Sequence, residues 1–364
     1  MFLKSLFWQI INSLIKIFLE IFVFDRKIRR ILKGNWAKFY LRKYVGDKYN
    51  YYAPSPLTPL PQGEGNRPEP SPLTSSPQGE GNRHTPTPQP TPSRGGGDCY
   101  SQMFVPQPPP ETHNADQALP DNNITIWQYW ESKDGTIPPL VQACLNSVEK
   151  YKGDKCKRIL LTPENVKEYV EIPQLFWDLK EKGKIKTAFF SDILRACLLI
   201  QNGGIWIDAT VLLTEELPSY IIDADLFVFQ NDLKIDLDGL NMASYFISAK
   251  KDNKILKETL SALIQYWKEN NFLVNYFTFL HTFTMVTQAN KENKELFAKV
   301  PFFNFLPVQQ FQGELLNQFS EERWEEVKKI SGIHKLTHKQ SVLTKEKNID
   351  ITGTFYEHII KEFC

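Results

Sequence analysis

Between Thr187 and Asn202 the chain is apolar nearly all the way round, carries no proline or interior glycine, and is stopped by Gly203 and Gly204. A run of this kind reads as a helix, and one without a polar face reads as a helix buried on every side. Its only charged residues, Asp192 and Arg195, are three apart and therefore share a face. Burying charge costs on the order of several kcal/mol per ion unless it is paired. The two residues therefore either form an internal pair that fixes packing or hold a common ligand. The glycine pair ends the helix, because a left-handed cap costs glycine nothing. Ile205 to Ile207 follows as a short buried strand and runs directly into Asp208. Ligands of open α/β sheets gather outside the carboxyl ends of the strands, so an acid at this position is placed to hold a divalent cation.

The surrounding pattern supports such a sheet. With 364 residues and 41% hydrophobic content, the chain can bury a sizeable core in one to three domains. Ile124 to Tyr129 alternates like a strand, a loop with Gly135 and Pro138-Pro139 follows, Leu140 to Tyr151 reads as a helix and Arg158 to Leu161 as a second strand. Strand, helix, strand implies a parallel pair and a nucleotide-type α/β sheet. Short helices split at Pro173 are expected between Asn165 and Gly183. Further strands are expected at Val211 to Leu213, Leu226 to Gln230 and Tyr245 to Ala249, and an amphipathic helix at Ile255 to Asn270. Asp232, Asp236 and Asp238 lack the spacing and closing glutamate of an EF-hand. His281, on an apolar face, reads as a core histidine. The chain contains no GxxxxGK[ST] phosphate loop, which disfavours a phosphotransferase. Five cysteines without a CxxC pair imply neither a disulfide framework nor a zinc site and favour a reducing cytoplasm.

Two segments precede this domain, which is expected to span 121–364. Residues 1–52 form a basic helical region: Phe2 to Phe24 is amphipathic, with a narrow polar strip of Ser5, Gln9, Asn12, Ser13, Lys16 and Glu20. Up to position 45 there are ten Lys or Arg against Glu20 and Asp25, although the whole chain carries a formal net charge of only +1. Lys16 and Glu20 interrupt the apolar run, and no small-residue cleavage site follows, so neither a spanning helix nor a signal peptide is expected. The helix either docks its apolar face on the main domain or lies in the membrane interface, where each Lys or Arg near an anionic surface contributes about 1 kcal/mol. The second reading is favoured and predicts peripheral contact through residues 1–45; no nucleic-acid partner is expected. Residues 53–120 hold seventeen of the 24 prolines and cannot make a core. Within them SPLTPLPQGEGNR at Ser55 to Arg67 recurs as SPLTSSPQGEGNR at Ser71 to Arg83, which reads as a disordered Pro/Gly-rich linker with two repeats.

The series SDILR, GG, IWI and Asp208-Ala209-Thr210 resembles the sugar-nucleotide-binding region shared by glycosyltransferase family 32, the clostridial glucosylating toxins and the bacterial capsular polysaccharide synthesis proteins. GGIWIDATVLL is most similar to the last of these, and the likeness extends upstream to IWQYWESKDGTIPPLVQACLNS and downstream to FISAKKDN. The shared pattern ends in DxD, whereas this chain has Thr210 in place of the second aspartate.

The resemblance implies an α/β fold with a GT-A-like nucleotide-sugar-binding domain, a Rossmann-like mixed sheet flanked by helices. It implies a retaining glycosyltransferase that moves a sugar from a nucleotide-sugar donor to a polysaccharide or lipid-linked glycan acceptor; the cysteine usage, the missing signal peptide and the basic amphipathic helix lead us to expect it on the cytoplasmic face of the membrane. Asp208 would bind Mn²⁺ or Mg²⁺ with the Thr210 hydroxyl, and a C-terminal group such as His334 would complete the site. Asp192 would hydrogen-bond donor sugar hydroxyls, and Arg195 would pair with it and face the diphosphate. Trp130 at the end of the first strand would support the base, with Trp127 and Gln128 as neighbours. The alternative is a decayed transferase that serves as a scaffold in a membrane polysaccharide assembly complex.

Overall fold

The computed structural model describes residues 2–22, 26–45, 124–132, 134–231, 240–339 and 349–364. The expected linker 53–120 with its repeats and the loop of Asp232, Asp236 and Asp238 lie outside the described residues.

Two helices open the chain, α1 (Phe2–Phe22) and α2 (Arg26–Val45), and they belong to the same compact unit as the sheet. Next come β1 (Ile124–Tyr129), α3 (Pro139–Tyr151), β2 (Cys156–Leu161), α4 (Val166–Tyr169), α5 (Gln174–Glu181), α6 (Thr187–Asn202), β3 (Gly204–Ile207) and β4 (Val211–Leu213). After α7 (Ser219–Ile222), β5 (Leu226–Val228) and β6 (Phe246–Ala249) follow α8 (Lys254–Glu269), α9 (Thr278–Gln288), α10 (Lys291–Ala298) and α11 (Leu306–Gln310). The chain closes with α12 (Glu321–Ile330), β7 (Ile333–Lys335) and α13 (Phe355–Phe363).

Five strands form one mixed sheet in the order β2-β1-β3-β6-β5. β1 runs parallel to β2 and β3, as the strand, helix, strand order predicts, whereas β6 is antiparallel to both β3 and β5. β4 and β7 form a separate antiparallel pair. Every second residue of a strand faces the same way, so the sheet divides two cores. Trp127, Trp206, Val228 and Ile247 pack toward α6, α8 and α9. Ile126, Ile205, Ile207, Phe227 and Phe246 pack on the opposite face with Val148 of α3. A further core lies between α3, α12 and α13.

Asn202 ends α6 and Gly203 caps it at φ 70° and ψ −165°, an extended positive-φ conformation reserved for glycine rather than the left-handed helical one the sequence suggests. Gly204 lies at φ 100°, and a Cβ there would come within 2.3 Å of the Thr125 carbonyl oxygen. Trp127 braces the same turn, its indole N–H donating to the Gly203 carbonyl at 2.9 Å. The double glycine therefore both turns the chain and lets β3 approach β1.

α2 docks on α8 through Tyr40, whose hydroxyl donates to Asn270 Oδ1 at 2.6 Å. α1 sits over it with a mixed face inward. Ser5 and Asn12 are buried beside Leu19, Ser5 Oγ donates to Asn271 Oδ1, and Asn12 Oδ1 accepts from the Trp36 indole. The opposite stripe, with Phe7, Ile10, Leu14, Ile17 and Phe18, is more than half exposed. No helix among the described residues is long and apolar enough to cross a membrane.

Candidate functional site

A cleft of about 1460 Å³ opens at the carboxyl ends of β1 and β3. Trp130 and Glu131 reach it from the end of β1, Ser191, Asp192 and Arg195 from α6, Asp208 and Thr210 from the turn after β3, and Lys335 from β7. Tyr276 forms an exposed part of its wall. The turn is fixed by the Asp208 amide, which donates to the Tyr245 carbonyl at 2.9 Å, and by the Val211 amide, which donates back to the Asp208 carbonyl at 2.9 Å.

Arg195 is the brace of this corner and is only 4% exposed. Its Nε donates to the Ser191 carbonyl, Nη2 to Ser191 Oγ and Nη1 to the Ser244 carbonyl at 2.5 Å. The same guanidinium forms ion pairs with Asp192 Oδ1 at 3.0 Å and Asp208 Oδ1 at 3.3 Å, and its plane lies over Trp206, 4.9 Å from the ring centre. The i, i+3 pair read from the sequence is present, with Asp208 added to it.

The two carboxylates differ in character. Burial pushes Asp192 up to about 6, against the pull of Arg195 and reinforced by the negative charge of Asp208. Burial acts on Asp208 in the same direction, but Lys335 and Arg195 outweigh it and hold Asp208 below the usual carboxylate range. Asp208 Oδ1 also accepts from the Trp206 indole at 2.9 Å, and Oδ2 accepts from Lys335 Nζ at 2.8 Å. Lys335 additionally donates to Thr210 Oγ1 at 2.6 Å. Thr210 thus supplies the hydroxyl that the sequence suggests, with an ammonium as its partner.

Two sequence candidates do not reach the cleft. Gln128 is fully buried within the sheet, where its Oε1 accepts from Arg158 at 3.4 Å and its Nε2 finds no partner among the described residues. His334 pairs across from Leu212, packs against Phe311 and Trp324, and holds Nε2 3.2 Å from Thr214 Oγ1. Burial lowers its ring to about 4 and keeps it neutral. Strand alternation turns His334 into the core and leaves its neighbour Lys335 for the cleft. His338 does line the cleft, its ring edge against Trp130 with centroids 5.6 Å apart. Trp127 is a core strut, and His281 is buried as the sequence predicts.

The donor set fits a divalent cation poorly. Mn²⁺ and Mg²⁺ take near-octahedral sets of oxygen or nitrogen ligands. Among the described residues no group of three or more His, Cys, Asp or Glu is placed to hold a metal ion. Both Asp208 oxygens are already engaged, and the Thr210 hydroxyl accepts from a cation. Unit charges 4 Å apart repel by about 4 kcal/mol at an effective dielectric of 20, and a dication doubles that. A metal ion at Asp208 would have to displace Lys335 and meet Arg195 as well.

The family model described as "Capsular polysaccharide synthesis protein" matches residues 108–359, which is more than half of the chain and includes the cleft. No curated protein sequence matches. Among solved structures the chain is similar to one described as "PaToxG Glycosyltransferase", at 13% identity and a TM-score of 0.36, covering 57% of this chain and 84% of that one. It is also similar to one described as "WbbM bifunctional glycosytransferase apo structure", at 10% identity and a TM-score of 0.36, covering 68% of this chain and 53% of that one.

Proposed function

The chain belongs to the capsular polysaccharide synthesis protein family, and from that membership and the cleft we propose that it is a glycosyltransferase with a GT-A-like domain that uses a nucleotide-sugar donor. One observation carries this reading: two carboxylates, a guanidinium and an ammonium converge at the carboxyl ends of parallel strands, where a nucleotide-type sheet binds its ligand.

In this reading Trp130 supports the base, and Asp192, once ionised, accepts hydrogen bonds from donor sugar hydroxyls. Arg195 acts as a positioning residue, since its three nitrogens are committed to α6, Ser244 and the two acids. Transfer breaks the bond between the anomeric carbon and the β-phosphate oxygen, and the electron pair goes to the phosphate. The acceptor hydroxyl oxygen bonds to that carbon, and its proton passes to the departing diphosphate. Exposed Tyr276 at the cleft wall offers a rigid, amphipathic face to a glycan or lipid-linked acceptor.

The N-terminal helices give the enzyme a membrane-facing side. α1 turns a mixed face with Ser5, Asn12 and Leu19 toward the protein and leaves an apolar stripe bare, unlike a surface helix in water, which buries its apolar side. Burying one such side chain is worth roughly 1.5–3 kcal/mol, which the exposed stripe forgoes in solution and recovers in a lipid interface. Basic residues dominate the same segment. These features support our reading of a peripheral position on an anionic cytoplasmic leaflet, close to a lipid-linked acceptor.

Incubating the purified protein with a panel of UDP- and GDP-sugars and reading the products by mass spectrometry tests the proposal. Slow hydrolysis of at least one donor to free sugar and nucleoside diphosphate is expected. If every donor remains intact and none binds by calorimetry, the scaffold reading takes its place.

A further inference from the structure

The best-placed cation in the cleft is a side chain. Lys335 reaches it from β7 and is fixed at two points, 2.8 Å from Asp208 Oδ2 and 2.6 Å from Thr210 Oγ1. Its side chain is only 21% exposed, and its ammonium lies 5.7 Å from the centre of the buried Tyr245 ring. These two bonds leave the third N–H of the ammonium without an acceptor among the described residues. Arg195, the other cation, has all three nitrogens engaged by protein groups.

Resting on the donor-site reading above, we propose that Lys335 is a catalytic residue that receives the donor diphosphate, so that sugar transfer in this protein proceeds without a divalent metal. The electron pair released from the anomeric bond arrives on the β-phosphate oxygen, and the lysine ammonium supplies the compensating charge and a hydrogen bond. Nothing beyond donor and acceptor enters or leaves. Thr210 then has a definite purpose, because its hydroxyl accepts from the ammonium and fixes the direction of Lys335. Asp208 is an anchor for that cation, and its charge is balanced by Lys335 and Arg195.

The test uses the full chain and four probes, UDP, UMP, GDP and GMP, titrated calorimetrically in excess EDTA and again in Mn²⁺. In EDTA the wild type is expected to bind the cognate diphosphate about 10- to 100-fold more tightly than the monophosphate, the range that one charged hydrogen bond provides. K335M is expected to lose that preference while binding the monophosphate as before, and K335R to keep part of it. Unchanged monophosphate binding and circular dichroism show that K335M remains folded. A diphosphate preference that vanishes in EDTA and returns with Mn²⁺, or that survives in K335M, overturns the proposal and leaves the donor-site reading standing. Failure to bind any nucleotide in either condition overturns both.

Discussion

Lys335 and Asp208, 127 positions apart in the chain, meet at 2.8 Å across the mouth of the cleft. β7 brings the lysine there by pairing with β4, which leaves the Asp208 turn three residues after the acid. The geometry of the proposed donor site therefore depends on the C-terminal part of the chain closing over the sheet.

Arg195→Ala is expected to destabilise the protein as well as silence it. The substitution leaves Asp192 and Asp208 without their shared partner in a largely buried corner, and breaking a buried ion pair from one side costs about 3–5 kcal/mol. At about 3 kcal/mol the thermal midpoint falls by roughly 6–12 °C for a domain of this size. Thermal unfolding followed by circular dichroism checks this; an unchanged midpoint would mean that Arg195 is not the brace.

Gly204→Ala should be among the most damaging single changes. It combines a φ of 100° with a Cβ that would sit 2.3 Å from a backbone carbonyl of the neighbouring strand. A loss of about 3 kcal/mol or more is expected, read as a shift in the denaturant midpoint. A wild-type midpoint would contradict the close approach of β3 to β1.

The fold was well marked in the sequence around α6 and β3, where the apolar helix, the glycine pair and the following acid are local signals. The parallel pairing of β1 with β2 was likewise legible from strand, helix and strand order. Lys335 was not legible, because its placement depends on a pairing between β4 and β7 more than a hundred residues apart. One signal was available: in Ile333–Lys335, period-two alternation puts His334 and Lys335 on opposite faces, so only one of them could reach the cleft. The amphipathic pattern of α1 showed two faces but not which of them meets the protein, since that depends on polar partners such as Asn271.

Activity is expected to rise with pH through about 6. Asp192 is held near that value by burial, and only its ionised form is purely an acceptor for sugar hydroxyls. The value lies above the ~3.9 of an unfolded aspartate, so between the two the folded state keeps a proton that the unfolded state has lost. The stability contributed by Asp192 is thus fully present below about pH 4 and is lost as pH rises through 6. A profile of kcat/KM against pH for donor hydrolysis should show this limb in the wild type. A flat wild-type profile would remove Asp192 from the sugar site.

Leu14→Glu combined with Phe18→Glu is expected to release the protein from membranes without unfolding it. Both side chains are 56% exposed, and surface changes of this kind usually move stability by less than about 0.5 kcal/mol. Co-sedimentation with vesicles of phosphatidylcholine and phosphatidylglycerol should fall by about tenfold or more. Equal binding of variant and wild type would assign membrane contact, if any, to another surface.

The most direct measurement of the central claim is the rate at which the wild type and Asp208→Asn release nucleoside diphosphate from the best donor. Asp208→Asn removes the charge that holds Lys335 and completes the Arg195 pairings. Turnover by the wild type and a fall of about 100-fold or more in the variant are expected, the size of loss seen when one preorganised electrostatic group is removed from an active site. Equal rates for the two proteins, or no release by either together with no donor binding by calorimetry, would contradict a donor site at this cleft.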